Sequence, residues 1–469
     1  MHTLFRKKTN LAKPDMIRKL WILGAPTILE QALQTAVLYV DTAMVGHIGA
    51  GASAAVGLTT TVNWLLNGIF FSMSVSLLSF IARYTGEGDL ETAHRTSAQA
   101  LWVVLSLSAV ETAAALGISP FLPKWMGASP EIWHDASLYF FITSCPMLFR
   151  GSSVVFGNVL RANKDSKTPM LVNIFVNILN IVLNQLLIGP GTTVSLFTAT
   201  FTIPGAGLGI AGAAAATALS QSLGGIIIFI AAMKNPLTTL SGQRLVPDWK
   251  LLKCSLQVAL PLMGERLVLG GGYVIFSTLV AGLGTLSTAA HSIALAIEEA
   301  FYVPGYGMQT AVSTLSGNAA GKKNEKELNE VAKAGSIIAV SVMTVMSAFL
   351  FFASPLIMKI FSNDAAVILL GAKILKIVAV SEPLFAVLII FEGVFHGIGE
   401  TRAPFLFAIF TMWGIRIFLS RICIHRFGAG LTAVWICMVA DNICRCFLLL
   451  AWYRLKRWKK RLGMTQNEL

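Results

Sequence analysis

The stretch LWILGAPTILEQALQTAVLYVDTAMV, Leu20–Val45, decides the fold. It includes only two charged side chains, Glu30 and Asp41. A helix needs about 20 mostly apolar residues to cross a bilayer, so the stretch reads as a membrane span. At an offset of 235 the chain returns to the same pattern in SLQVALPLMGERLVLGGGYVIFSTLV, Ser255–Val280. There Pro261 stands in the place of Pro26 and Glu265 in the place of Glu30.

Comparable stretches recur along the chain. They predict twelve spans near residues 20–45, 54–82, 97–120, 136–160, 169–189, 207–233, 255–282, 288–316, 334–357, 366–396, 403–424 and 430–453. The 469 residues are 55% hydrophobic and 13% charged, against about 25% charged in a soluble chain. Mean hydropathy is +0.70. The fold class expected is an all-α membrane protein, with twelve transmembrane helices in two pseudo-symmetric six-helix bundles around a central cavity.

The net charge of +13 is a matter of placement. Arg6, Lys7, Lys8, Lys13, Arg18 and Lys19 precede the first span, and Arg454, Lys456, Arg457, Lys459, Lys460 and Arg461 follow the last. Further Lys and Arg fall in 83–95, 161–167, 234–253 and 322–333, whereas 46–53, 188–208 and 281–288 contain none. This is the positive-inside asymmetry, and it places both termini in the cytoplasm of a multi-pass protein of the plasma membrane. Basic tails against anionic headgroups account for the surplus, so the bilayer is an expected partner and nucleic acid is not. No cleavable signal peptide is expected, because the first apolar segment is long and runs straight into further spans. The six cysteines form no CxxC pair and read as apolar fillers.

The repeat extends beyond the opening stretch. Over 61 ungapped positions Gly49 falls on Gly284, Ala54 and Ala55 on Ala289 and Ala290, and Gly86 on Gly321, with eight identities in all. The register returns where Phe156 and Val159 meet Phe391 and Val394. It also aligns Asp165-Ser166-Lys167-Thr168-Pro169 with Glu400-Thr401-Arg402-Ala403-Pro404. Six spans per half is an even number, so the halves are related by an axis along the membrane normal, with a cavity between them. The organisation expected is a basic N-terminal segment 1–19, a first lobe 20–233, a linker 234–254, a second lobe 255–453 and a basic tail 454–469.

With these residues in place, the chain resembles the multidrug and toxic compound extrusion (MATE) family. The resemblance is carried by Ala25-Pro26-Thr27-Ile28-Leu29-Glu30-Gln31, by Val40-Asp41-Thr42 with Gly46 and Gly49, and by Tyr84-Thr85-Gly86-Glu87-Gly88-Asp89. In the second half it rests on Ala290-His291, Pro304-Gly305-Tyr306-Gly307 and Gly397-Ile398-Gly399-Glu400-Thr401-Arg402. It implies a secondary antiporter, and no enzyme, that exports small organic, often cationic, drugs or metabolites in exchange for H⁺ or, second to it, Na⁺. It implies no cofactor. Consistently, the chain has no GxxxxGK[ST] loop to hold nucleotide phosphates. A monomer is expected.

A carboxylate in the hydrocarbon region costs several kcal/mol unless it is paired, hydrated or protonated, so each such acid needs a reason. Glu30 and Asp41 are eleven residues apart. Eleven residues advance a helix by about 1,100°, so both point the same way roughly 16 Å apart. Pro26 removes a backbone hydrogen bond to Ile22, which marks a place for the helix to bend. The resemblance makes Asp41 the leading proton or ion carrier, with Glu265 and Glu298 beside it. It groups Asp41 with Asn180, Asn184 and Thr217 as the ligands a Na⁺ would use. Asn184 departs from the usual Asp of the family, which tilts the expectation from Na⁺ to H⁺. Glu299, Glu382 and Glu392 are further candidates, and neighbours such as Glu298 and Glu299 diverge by about 100°, so only one of them faces inward. Asp441 and Arg445, four apart, are expected to pair, while Arg150 and Arg416 have no partner legible in the sequence. The alternatives are a lipid-linked oligosaccharide flippase of the wider superfamily, which should line its cavity with more Arg and Lys, and a transporter for one endogenous metabolite.

Overall fold

The computed structural model describes residues 13–196, 199–239, 246–456 and 458–461. Parts of the expected basic ends (1–12 and 462–469) and of the linker (240–245) lie outside the described residues. The first half is built from α1 (Pro14–Gly46), α2 (Ala50–Glu87), α3 (Leu90–Ile118), α4 (Leu122–Trp125), α5 (Trp133–Ser144), α6 (Met147–Ala162), α7 (Lys167–Leu187) and α8 (Gly209–Lys234). A β-hairpin, β1 (Gly191–Leu196) antiparallel to β2 (Ala199–Pro204), joins α7 to α8 with Gly191 opposite Pro204. The second half comprises α9 (Trp249–Ala281), α10 (Thr285–Gly321), α11 (Glu325–Phe361), α12 (Ala365–Gly397), α13 (Arg402–Ile409), α14 (Phe418–Phe427), α15 (Leu431–Arg454) and the short α16 (Trp458–Arg461). A π-helical stretch, Phe410–Ile417, fuses α13 and α14 into one rod.

Nine helices among the described residues are long and apolar enough to cross a membrane, counting that rod as one. The pair α5 and α6 makes a tenth, bent by 51° at its break. The break falls at Cys145-Pro146, where proline withdraws a donor from the helical ladder. Helices α1 and α10 have the length, 33 and 37 residues. Their apolar runs are diluted by Glu30, Gln31 and Gln34 in α1 and by Glu298, Glu299 and Gln309 in α10. With these two the count is twelve, as the sequence predicts, and both of these more polar spans carry candidate acids.

The backbone repeats with the sequence. Positive φ values recur at the same offset of 235: Gly49 with Gly284, Gly88 with Lys323, and Lys164 with Gly399. Helix caps follow suit. Asp89 accepts the Thr92 N–H at 3.0 Å to start α3, and Asn324 accepts the Glu327 N–H at 3.1 Å to start α11. Asp165 likewise accepts from Thr168 N–H at 3.0 Å and from its hydroxyl at 2.7 Å, so the first copy of the repeated acid–hydroxyl–base–small–proline motif sets a helix-starting turn.

The lobes exchange their first helices' ends. Met16, Leu20 and Leu23 of α1 share a buried cluster with Val312, Leu328 and Phe395 of the second half. Ala259 of α9 shares one with Leu77, Val159 and Ile228 of the first. Both chain ends lie on one face: Lys13 pairs with Glu330 at 2.6 Å, and Lys456 with Glu325 at 2.8 Å, in a contact that Lys459 also joins. At this basic end α2 and α10 meet backbone to backbone. A Cβ on Gly86 would lie 2.2 Å from the Asn318 carbonyl oxygen, and one on Gly321 would lie 2.0 Å from that of Arg83. These are symmetry-related positions, so the pseudo-twofold axis passes between the two glycines. Ser79 Oγ, about two turns before Gly86, donates to the Gly397 carbonyl of α12 at 2.9 Å and ties α2 to the second half there as well.

Candidate functional site

Helix α7 faces α1 with asparagines at the same spacing as α1's acids. Asn173 and Asn184 are eleven apart, like Glu30 and Asp41, and the two parallel helices therefore meet twice. At the upper meeting Asn184 Nδ2 donates to Asp41 Oδ1 at 2.7 Å. Asn180, one turn below, can take either of two amide orientations. In one it donates to Thr217 Oγ1 and Ser220 Oγ, both at 3.4 Å. Turned over, its nitrogen lies 2.8 and 3.1 Å from the two Asp41 oxygens, and this orientation avoids setting an amide oxygen against a carboxylate. Tyr139 completes the group through a hydrogen bond with Thr217. Asn180 and Asn184 are buried, whereas Asp41 and Thr217 are half-buried. The four residues named from the sequence are thus brought together. Asn184 meets Asp41 with an N–H donor, and Asn180 presents its side-chain amide to both carboxylate oxygens.

At the lower meeting Glu30 is buried and saturated. Arg161 Nη2 donates to both of its oxygens at 2.7 Å, and Asn173 Nδ2 adds a third bond at 2.7 Å. Arg161 was not legible as the partner, being 131 residues away. Pro26 lies inside α1, which continues as helix through it.

The second half gathers its acids in two groups. Glu298 is buried and bonded to the Tyr302 hydroxyl one turn on, while the neighbouring Glu299 is exposed, as their separation of about 100° requires. Glu382 of α12 is buried, its two oxygens lack hydrogen-bond partners among the described residues, and the charge of Glu298 acts on it. In the second group Glu265 lies under the charges of Glu392, Arg445 and Arg266. Glu392 accepts from Gln309 at 3.3 Å and lies 3.9 Å from Arg445. Arg445 meets Asp441 at 3.3 Å, and Asp441 also accepts from Arg416 at 2.8 Å, which supplies the partner the sequence did not reveal. Arg266, which follows Glu265, turns instead to the first half and lies 4.1 Å from the centre of the Phe71 ring.

One acid escaped the sequence reading. Glu111 in α3 is buried with both oxygens unpartnered among the described residues, and the charge acting on it is that of Arg150, whose guanidinium donates to Asn63 at 3.2 Å. The signal was present: Glu111 is the only charged residue between Arg95 and Lys124.

The MatE family model matches the chain twice, over residues 26–186 and 261–422, and the starts of the two matches differ by the same offset as the repeat. A relative from Thermotoga maritima, described as "Probable multidrug resistance protein NorM", is 26% identical over 457 residues, 97% of this chain and 96% of its own. A solved MOP superfamily transporter from Pyrococcus furiosus superposes with a TM-score of 0.86 at 24% identity, covering 96% of this chain and 97% of its own. A structure titled "Crystal structure of MATE in the bent conformation" gives 0.85 at 24%, covering 96% and 98%. The doubled family match, laid over two bundles related by the same offset, places this protein in the MatE family.

Proposed function

We propose that the protein is a secondary antiporter of the plasma membrane that exports small organic, often cationic, compounds, as the relative's name suggests, in exchange for protons. The observation that carries the coupling ion is the lining of Asp41. Asn184 donates to it and Asn180 lies against both of its oxygens, but among the described residues no second carboxylate joins them, because Asn184 stands where one would sit. A Na⁺ there would meet a single negative group, with only neutral oxygens to fill the rest of its shell. A proton needs only the carboxylate itself, and the same amides can then turn to present oxygen to its O–H.

In this reading the ends bearing Lys13, Lys456 and Lys459 face the cytoplasm. The glycine-on-glycine contact of α2 and α10 then closes the cytoplasmic side, and the cavity opens outward. Proton binding at Asp41 loosens its bonds to α7, and α1 adjusts at Pro26. The opposite rocking, which parts Gly86 from Gly321, exposes the cavity to the cytoplasm for a new substrate. A single chain contains both lobes, and the protein works as a monomer.

Asp41→Asn tests the reading. The substitution keeps size and hydrogen-bonding capacity but cannot cycle a proton. Cells carrying it should insert the protein at normal levels and lose resistance to toxic organic cations. Resistance equal to that of the native protein would overturn the role of Asp41.

A further inference from the structure

We propose that Glu111 is a second proton-carrying carboxylate of the first lobe, and that Arg150 is the switch reporting its state to α2; the proposal rests on the proton-coupled reading above. A buried carboxylate with two unmade bonds is costly, and an intramembrane acid of this kind is a functional group by default. The structure holds the arrangement expected when Glu111 carries its proton. Being neutral, it makes no claim on Arg150, and Arg150 donates to Asn63 of α2 at 3.2 Å.

When Glu111 gives its proton to water, its O–H bond breaks, hydronium forms and a carboxylate remains. Arg150 is the charged group that acts on that carboxylate, and it would leave Asn63 to pair with it. The bond between α6 and α2 is thereby exchanged for one between α6 and α3. Helix α2 carries Gly86 at its other end, so the exchange acts on a helix of the seal.

The surroundings single out this pair. Helix α3 packs on α2, α6, α5 and α9. α6 contributes Arg150, and α5 contributes Tyr139, which acts on Arg150 and on Asp41 alike. α2 contributes the neutral Asn63 at this level. The contact with α9 runs through Arg95 and Asp248 at the opposite end of α3, several helical turns from Glu111. Tyr139, bonded to Thr217, thus acts on both Asp41 and Arg150 and connects the Asp41 group to the guanidinium that faces Glu111.

Proton release on substrate binding tests the proposal. Purified full-length protein in nanodiscs, in weakly buffered solution near neutral pH with an indicator dye, is titrated with ethidium as the probe. Glu111→Gln should release one proton fewer than the native protein, and so should Arg150→Gln, which removes the counter-charge that lets Glu111 ionise. Glu111→Asp should restore the lost proton. Release from Glu111→Gln equal to native overturns the proposal, and where that variant does not fold, native release from Arg150→Gln overturns it equally. Failure of the underlying reading looks different: Asp41→Asn would then release as many protons as the native protein.

Discussion

Glu30 and Asp41 sit on one face of α1, and the structure gives them opposite surroundings. Glu30 is locked by Arg161, whose Nη2 donates to both of its oxygens, and by Asn173, whereas among the described residues Asp41 bonds to neutral amides alone. Removing one member of a buried ion pair leaves the other charge uncompensated, at a cost of about 3–5 kcal/mol. Glu30→Ala should therefore lower the melting temperature of the purified protein markedly, and Asp41→Asn should leave it unchanged or raise it. Equal melting of Glu30→Ala and native protein would make the pair dispensable. The eleven-residue spacing made the shared face legible in the sequence. The distinction between the two acids was not legible, because it depends on Arg161, which folding brings from 131 residues away. Glu111 was visible as a lone acid in an apolar span, but its meaning depends on Arg150, a long-range neighbour of the same kind.

At the scale of elements, the seal between α2 and α10 rests on two glycines that admit no side chain. Gly86→Ala places a methyl 2.2 Å, and Gly321→Ala one 2.0 Å, from a carbonyl oxygen of the opposite helix, well inside contact distance, so the basic ends must part. Ser79, buried behind the seal, reports the opening. In a background lacking the six native cysteines, Ser79→Cys should react with a membrane-impermeant thiol reagent added from the cytoplasm several-fold faster when Gly321→Ala is present. Unchanged labelling would place the seal elsewhere. The repeat made Gly86 and Gly321 equivalent in the sequence, and the positive φ values at 49/284, 88/323 and 164/399 carry that equivalence into the backbone. Sequence alone did not show that the pair touches, because an axis of symmetry fixes correspondence and not distance. Nor did it show the break between α5 and α6, which falls inside the single span expected near 136–160 although Pro146 marks it.

At the scale of the whole molecule, two bundles, twelve helices and a basic face were all present in hydropathy and charge, since lipid imposes length and apolarity on every span. The exchange of helix ends between the lobes was not, because α1 and α9 look like ordinary members of their own halves. The orientation is checked by a reporter fused after Leu469. It should be active only if it works in the cytoplasm, and activity of an exported reporter would invert the molecule.

Coupling of export to protons bound at Asp41 is tested most directly by transport in a closed vesicle. Proteoliposomes containing the purified protein and a fluorescent organic cation can be given a pH gradient or a Na⁺ gradient separately, with the membrane potential clamped. Transport of the dye driven by the pH gradient, unaffected by Na⁺ and absent in Asp41→Asn, is the result predicted. Transport that persists with the pH gradient collapsed and stops when Na⁺ is withdrawn would contradict it.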